Sequence, residues 1–390
     1  MKIVFITTLY PDSKEQSLTK VPYALHYFVQ NWVKQNHEIQ VIKVEATYPK
    51  YLPQYYNTNR MRRERDVTID GINVHVIQVK KNINRHFSKI SAKSVAAKVI
   101  KYLIGKNTQY DAVIFHVFEP SYYIADELRR KLSIPIIWGF HQSDINWIKA
   151  AKNTRILDDN IRNISAIAFR SNSLKTAFKQ HYDYEIQSFI IPSGIPNNII
   201  SNLRTEEAFD NMQFITVANM IKRKNLDIVI EAFSKLHKNS KNITLRIIGS
   251  GEELNKLKAL TSQLEIKDSV LFLGYCDREK VFEELKHSHV FVLPSVDETF
   301  GMVYLEAMSQ GCIPIGTIGE GIDGIIVDGK NGYLCTPNVD SCYYKMSTAM
   351  ELRAKDIEAI KKEIHKTVQK YTDEKCAQNY ASRIQEIVKN

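Results

Sequence analysis

"HVFVLPSVDETFGMVYLEAMSQG" (residues 289–311) sets a short apolar run before Pro294, a polar turn after it, and an apolar stretch at helical spacing to Gln310. The order is strand, turn, helix. Gly311 is the expected helix stop, Thr299 the expected N-cap, and the helix is expected from about Phe300. Glu298 then lies outside the helix, at the strand's end, and Glu306 about two turns along it. Carboxylates in an apolar segment are costly unless something pairs with them or a polar ligand meets them. The free first-turn amides of Phe300, Gly301, Met302 and Val303, with the positive end of the helix dipole, suit a phosphate. A carboxylate at Glu306 suits a ribose diol.

The same strand–helix alternation runs both ways along the chain. Upstream lie "QFITVANM", "ITLRIIGSG" and "SVLFLGY" as strands, with "LDIVIEAFSKLHKN", "EELNKLKALTSQL" and "REKVFEELKHS" as helices. "IPIGTIG" is a further strand downstream. The first half has its own set. "KIVFITTLY", "HEIQVIKV", "YDAVIFHVF", "IPIIWGFH", "ISAIAFRSN" and "FIIPSGIP" read as strands, and "VTIDGINVHVIQV" as a hairpin turning on Asp-Gly. Helices are expected in "VPYALHYFVQNWVKQN", stopped by a left-handed Asn36, and in "HFSKISAKSVAAKVIKYLIG". Alternation through both halves implies an α/β chain of two doubly wound, Rossmann-like domains, whose ligands bind beyond the carboxyl ends of the strands. The polar stretch 197–211 reads as the linker. The domains expected are 1–197 and 198–370, with a C-terminal helix of about 371–390 packing back on the first.

Strand ends supply the other candidates. Lys222, Arg223 and Lys224 follow the first strand of the second domain, where a cation would neutralise a departing diphosphate. His141 and Asp144, in "GFHQSD", end a strand of the first domain. His116 is a weaker candidate. "IIGSGEE" is a glycine turn.

The 390 residues are 44% apolar and 25% charged, an ordinary globular composition. The five cysteines all lie in the second half with no C-x-x-C pair, which argues against zinc or a redox dithiol. Neither a secretory signal nor a run of about 20 apolar residues is evident, so a cytoplasmic protein is expected. The net charge of +10 is uneven: residues 1–200 carry 28 basic and 16 acidic side chains, residues 201–390 carry 25 and 27. No acidic residue occurs from Gly71 to Tyr110. The basic stretch 60–106 interleaves lysines and arginines with apolar residues, and two readings stand: a helix packed on its sheet with a solvated lysine face, or a patch that meets an anionic membrane surface. No nucleic-acid motif or aromatic stacking platform is present, so no nucleic acid is expected.

The order of motifs resembles the retaining glycosyltransferases of the GT-B architecture, family 4, whose two Rossmann-like domains face each other across a cleft. The resemblance covers nearly the whole chain. Its most specific part is "PSVDETFGMVYLEAMSQGCIPIGT" followed by "DGKNGYL", with "IPSGI", "RIIGSGEE" and "LFLGY" in support. It implies that Glu298 lies near the transferred sugar and Glu306 at the ribose hydroxyls. It further implies that Lys224 contacts the diphosphate, that Tyr275 lies by the nucleobase, and that His141 lies by the donor sugar. A hexose-type sugar would pass from a nucleotide-sugar, UDP- before GDP-, to a glycan or lipid-linked acceptor of a cell-surface polysaccharide such as a capsule. No metal and no other cofactor is expected. The chain departs from the family at Ala218-Asn219, where a Gly-Arg pair is usual; Asn219 stands in the arginine's place, and Arg223 or Lys222 remains to serve the diphosphate. It departs again in a first loop without Gly-Gly, and at Gly324, where an acidic residue is more common. Rival readings are another two-domain nucleotide-sugar enzyme (an inverting transferase or epimerase) and a sugar-nucleotide-binding protein without catalysis.

Overall fold

The structure is a computed structural model. It describes residues 1–11, 24–47, 64–80, 89–116, 125, 127–150, 158, 161–182, 185–201 and 211–389. The chain divides into two compact units. The first comprises Met1–Arg170, Leu174–Pro192 and Asp373–Asn390; the second comprises Ser171–Ser173 and Ser193–Thr372. The division thus falls between Pro192 and Ser193, a few residues before the polar stretch read as the linker.

The first unit is built on β1 (Lys2–Thr7), β2 (Glu38–Thr47), β3 (Arg65–Ile69), β4 (Ile72–Lys80), β5 (Ala112–His116), β6 (Ile136–Phe140), β7 (Ala166–Phe169) and β8 (Ser188–Ile190). Their order is β3-β4-β2-β1-β5-β6-β7-β8. All pairings are parallel except β3 with β4, the hairpin whose turn residues Asp70 and Gly71 both take positive φ, as an Asp-Gly hairpin turn requires. The helices are α1 (Ala24–Lys34), α2 (Lys89–Gly105), α3 (Gln142–Ala150) and α4 (Asn172–His181). Asn36 is left-handed at φ 62°, as read from sequence. Strands β1, β5, β6 and β7 are almost wholly buried, which is why they are continuous apolar runs and do not alternate.

The second unit holds β9 (Met212–Val217), β10 (Ile243–Ile248), β11 (Val270–Gly274), β12 (Val290–Val292), β13 (Ile313–Thr317) and β14 (Tyr333–Cys335). Every pairing is parallel, in the order β11-β10-β9-β12-β13-β14. Its helices are α5 (Leu226–Asn239), α6 (Leu254–Gln263), α7 (Arg278–Lys286), α8 (Met302–Ser309), α9 (Val339–Met350) and α10 (Ala354–Lys370). The last helix, α11 (Asp373–Lys389), packs in the first unit, where Trp32 Nε1 of α1 donates to Ala377 O at 2.9 Å. Among the described residues no helix is long and apolar enough to cross a membrane.

Both sheets reverse their winding once: between β1 and β5 in the first unit, and between β9 and β12 in the second. Strands that diverge leave a crevice at their carboxyl ends, where open α/β sheets bind ligands.

Candidate functional site

In the second unit two loops leave the carboxyl ends of the adjacent strands β9 and β12. The first carries the turn Lys222–Lys224, the second residues 293–301. They are stitched together. Val296 N donates to Arg223 O at 2.9 Å, and Asn225 Nδ2 donates to Pro294 O at 2.8 Å. Asn225 takes positive φ, as does Asp297. The stitching brings the cations of one loop to the carboxylate of the other. Lys224 Nζ donates to Glu298 Oε2, and both side chains are mostly buried, 11% and 15% exposed. Arg223 Nη1 lies 3.8 Å from the same oxygen and reaches Asp297 O at 3.4 Å. Ser295 Oγ donates to Glu298 at 3.4 Å.

Glu320 holds the loop from its other side. Its carboxylate accepts from the amides of Asp297 and Glu298, at 3.1 and 2.8 Å. Burial holds its pKa above the usual carboxylate value, opposed by those two amides. Nothing in the spacing of the sequence marks Glu320, because its partners lie more than twenty residues away.

The helix start corrects the sequence reading. Gly301, not Thr299, occupies the cap position, in the left-handed region at φ 82°, and α8 begins at Met302. A Cβ on Gly301 would stand 2.6 Å from the Tyr304 ring, so glycine is required both by its backbone and by its neighbour. The Tyr304 hydroxyl is buried beneath and donates to Leu293 O; burial pushes its pKa up. Only Met302 and Val303 are therefore first-turn amides of the helix proper, and Phe300 precedes it with its side chain buried. Glu306 stands little more than one turn into α8, where Arg278 Nη2 of α7 donates to Glu306 Oε1 at 3.3 Å. Burial raises the pKa of Glu306, and Arg278 pulls it down. Arg278, like Glu320, is a partner that sequence reading misses.

Two other candidates are exposed. Tyr275, directly after β11, is 60% exposed. Asn219 follows β9, and its carbonyl accepts from Ile221 N at 2.9 Å. The glycine turn after β10 braces this loop, with Met220 N donating to Ser250 O at 2.9 Å.

In the first unit His141 follows β6 and caps α3. Asp144, in the first turn, accepts from His141 N at 2.6 Å, one arm of a capping box. His141 Nε2 meets His116 Nδ1 at 2.9 Å, so the histidine that sequence rated weaker lies directly behind the stronger one. Burial, then the charge of Arg170, lowers the pKa of His141 to about 3. His116 is lowered as well, by burial first, then His141 and Arg170. Both imidazoles are neutral near pH 7. Of the basic stretch 60–106, residues 60–63 and 81–88 lie outside the described residues. In the described part Lys98 pairs with Glu64 at 2.6 Å, and Lys106 lies 5.0 Å over the Tyr102 ring.

Two Rossmann-like units, the second with cations and an amide-lined helix start at its switch point, define the GT-B class. Two family models match: Glycosyltransferase Family 4 over residues 22–198 and Glycosyl transferases group 1 over residues 202–367. The chain belongs to the group 1 glycosyl transferases. It is 26% identical over 371 residues to an uncharacterized glycosyltransferase of Methanocaldococcus jannaschii, covering 87% of each chain. It is 39% identical over 121 residues to the N-acetyl-alpha-D-glucosaminyl L-malate synthase of Bacillus anthracis, spanning 31% of the length of each. Among solved structures, the sucrose-phosphate synthase of Thermosynechococcus elongatus superposes with a TM-score of 0.71 at 13% identity, covering 99% of both chains. Anabaena HepE in complex with UDP superposes with a TM-score of 0.71 at 16% identity, covering 99% of this chain and 100% of that one.

Proposed function

We propose that this protein is a retaining, metal-independent hexosyltransferase. It would take its sugar from a nucleotide-sugar, UDP- before GDP-, and deliver it to a glycan or lipid-linked acceptor in cell-surface polysaccharide synthesis. The observation that carries the proposal is the Lys224–Glu298 pair, flanked by Arg223, at the β9/β12 switch point beside the start of α8. The bond from the anomeric carbon to the β-phosphate oxygen breaks, and its electron pair leaves on the diphosphate. Lys224, Arg223 and the first-turn amides of α8 oppose that growing negative charge. The acceptor hydroxyl attacks from the face the phosphate leaves, and its proton passes to the departing phosphate oxygen. Glu298 orients the sugar, and Glu306, held by Arg278, takes the ribose hydroxyls. His141 is assigned a contact with the transferred sugar, a role carried over from the family. Anabaena HepE, which shares the fold, has been solved with UDP-glucose, which favours the UDP reading. A cytoplasmic enzyme held reversibly at an anionic membrane through its basic first unit completes the proposal.

A panel of UDP- and GDP-sugars tested by thermal shift identifies the donor, since a ligand that binds the native state raises apparent stability by mass action. Hydrolysis or transfer of the stabilising donor in the presence of EDTA then tests metal independence. Tight binding without any turnover would replace the transferase with a sugar-nucleotide-binding protein.

A further inference from the structure

The Tyr380 hydroxyl of α11 meets His116 Nε2 at 3.3 Å, and His116 Nδ1 meets His141 Nε2 at 2.9 Å. The three groups form one chain of hydrogen bonds wholly inside the first unit. Two proton arrangements satisfy the distances. If His141 Nε2–H donated to His116, then His116 Nε2–H would donate to Tyr380, and the buried hydroxyl proton would have no acceptor among the described residues. Leaving a buried donor unmade is costly. In the opposite arrangement both protons inside the chain are donated, Tyr380 O–H to His116 Nε2 and His116 Nδ1–H to His141 Nε2, and the one donor left over belongs to His141, whose ring is only half-buried where Tyr380 is fully buried. A neutral imidazole carries one N–H, so the remaining proton of His141 sits on Nδ1.

The His116 ring is held in place, so its Nε2 stays toward Tyr380 and its Nδ1 toward His141. A Cβ on Gly139 would lie 2.2 Å from it, so glycine at that strand position is what admits the imidazole. Phe5 packs against it at a centroid distance of 5.1 Å, and Tyr380 stands nearly perpendicular at 6.0 Å. Tyr380 is itself fixed by Phe28, Trp32 and Phe189, at 5.5, 5.2 and 6.1 Å. Arg170, buried nearby with its guanidinium 5.1 Å over the Phe28 ring, opposes a second proton on either histidine.

We infer that Tyr380 is a positioning residue for His141, fixing it through His116 as the neutral Nδ1–H tautomer. The consequence for transfer rests on the assignment of His141 to the sugar made above; the tautomer itself does not. A histidine locked in one tautomer presents one defined hydrogen-bonding edge to the sugar.

The test is Tyr380→Phe in the full chain, which keeps the packed ring and removes only the hydroxyl. Long-range nitrogen–carbon NMR of the imidazoles should show wild-type His141 protonated on Nδ1 alone, and a mixture of tautomers in the variant. Turnover should fall about tenfold with the donor KM unchanged, the rate equivalent of one lost hydrogen bond. His116→Asn, the second variant, should disturb the His141 tautomer in the same way. Wild-type His141 protonated on Nε2, or an unchanged tautomer in both variants, overturns the inference. Unchanged turnover in His141→Ala would instead remove this histidine from the transfer reaction, leaving the tautomer result to stand separately.

Discussion

The two switch points of this molecule are built on opposite electrostatic plans. In the second unit, charge is gathered: Lys224, Arg223 and Glu298 converge from two loops, and Glu306 meets Arg278 a helical turn away. In the first unit the paired groups are uncharged: His116 and His141 touch, both are neutral, and Arg170, buried with its guanidinium over the Phe28 ring, opposes their protonation. The difference matches the division of labour proposed here. A departing diphosphate needs opposing charge, whereas a neutral sugar hydroxyl needs a hydrogen-bonding edge of fixed orientation.

The comparison can be broken most sharply at Lys224. Lys224→Ala removes the cation and leaves Glu298 without its closest partner, so turnover should fall by about 10²–10³-fold, as when a single preorganised charge-stabilising donor is lost. Steady-state transfer rates at saturating donor read this directly, and a rate within a factor of a few of wild type would remove Lys224 from the reaction. A smaller effect is expected at Glu306, where substitution by alanine should weaken donor binding about tenfold to a hundredfold, the loss of charge-assisted bonds to a diol. Arg278→Ala should act in the same direction by several-fold only, because it frees a carboxylate whose pKa is already raised and lets it protonate more readily. Calorimetric titration with the free nucleotide diphosphate ranks the two; a larger loss in the Arg278 variant would contradict the proposed order.

The neutral pair gives the mildest test, one of stability. His141 has a folded-state pKa of about 3 against about 6.5 unfolded, and His116 shifts the same way. Below about pH 6.5 the unfolded chain therefore binds more protons, so stability is complete above that pH and falls as pH drops. The groups facing the pair are Arg170, Asp144 and Tyr380, with Cys376 near Arg170; Arg170 opposes protonation. Each ring should cost up to about 1.4 kcal/mol per pH unit between pH 6.5 and 5. Urea midpoints at pH 7 and pH 5 measure the slope, and His141→Gln should flatten it. An equal slope in wild type and variant would show that His141 contributes none of it.

Much of this was legible in the sequence because it is local. The Asp70-Gly71 hairpin, the Asn36 stop and the strand before Pro294 follow from turn chemistry and periodicity within a few residues. Glu298, Glu306 and Lys224 stand out as candidates in the sequence because strand ends are where ligands sit and because the motif order resembles a known family. What was not legible is long-range. Glu320 and Arg278 find their partners 22 and 28 residues away. The pairing of His116 with His141 depends on β5 and β6 lying side by side. Thr299 lost the cap to Gly301 because Tyr304 fills the space beneath the turn, which is a fact of packing that propensity cannot anticipate. The strand β14 is only three residues long, too short for any period to show.

The final helix has a consequence for how the chain is made. Residues 373–390 complete the unit that synthesis begins first, supplying Ala377 to Trp32 and Tyr380 to His116. On the ribosome the amino-terminal body must therefore wait, with Trp32 and Phe28 uncovered, while the whole intervening body is translated. A chain ending before Asp373 would keep every residue of the later-made body and deprive the earlier one of the helix that meets Trp32 and His116.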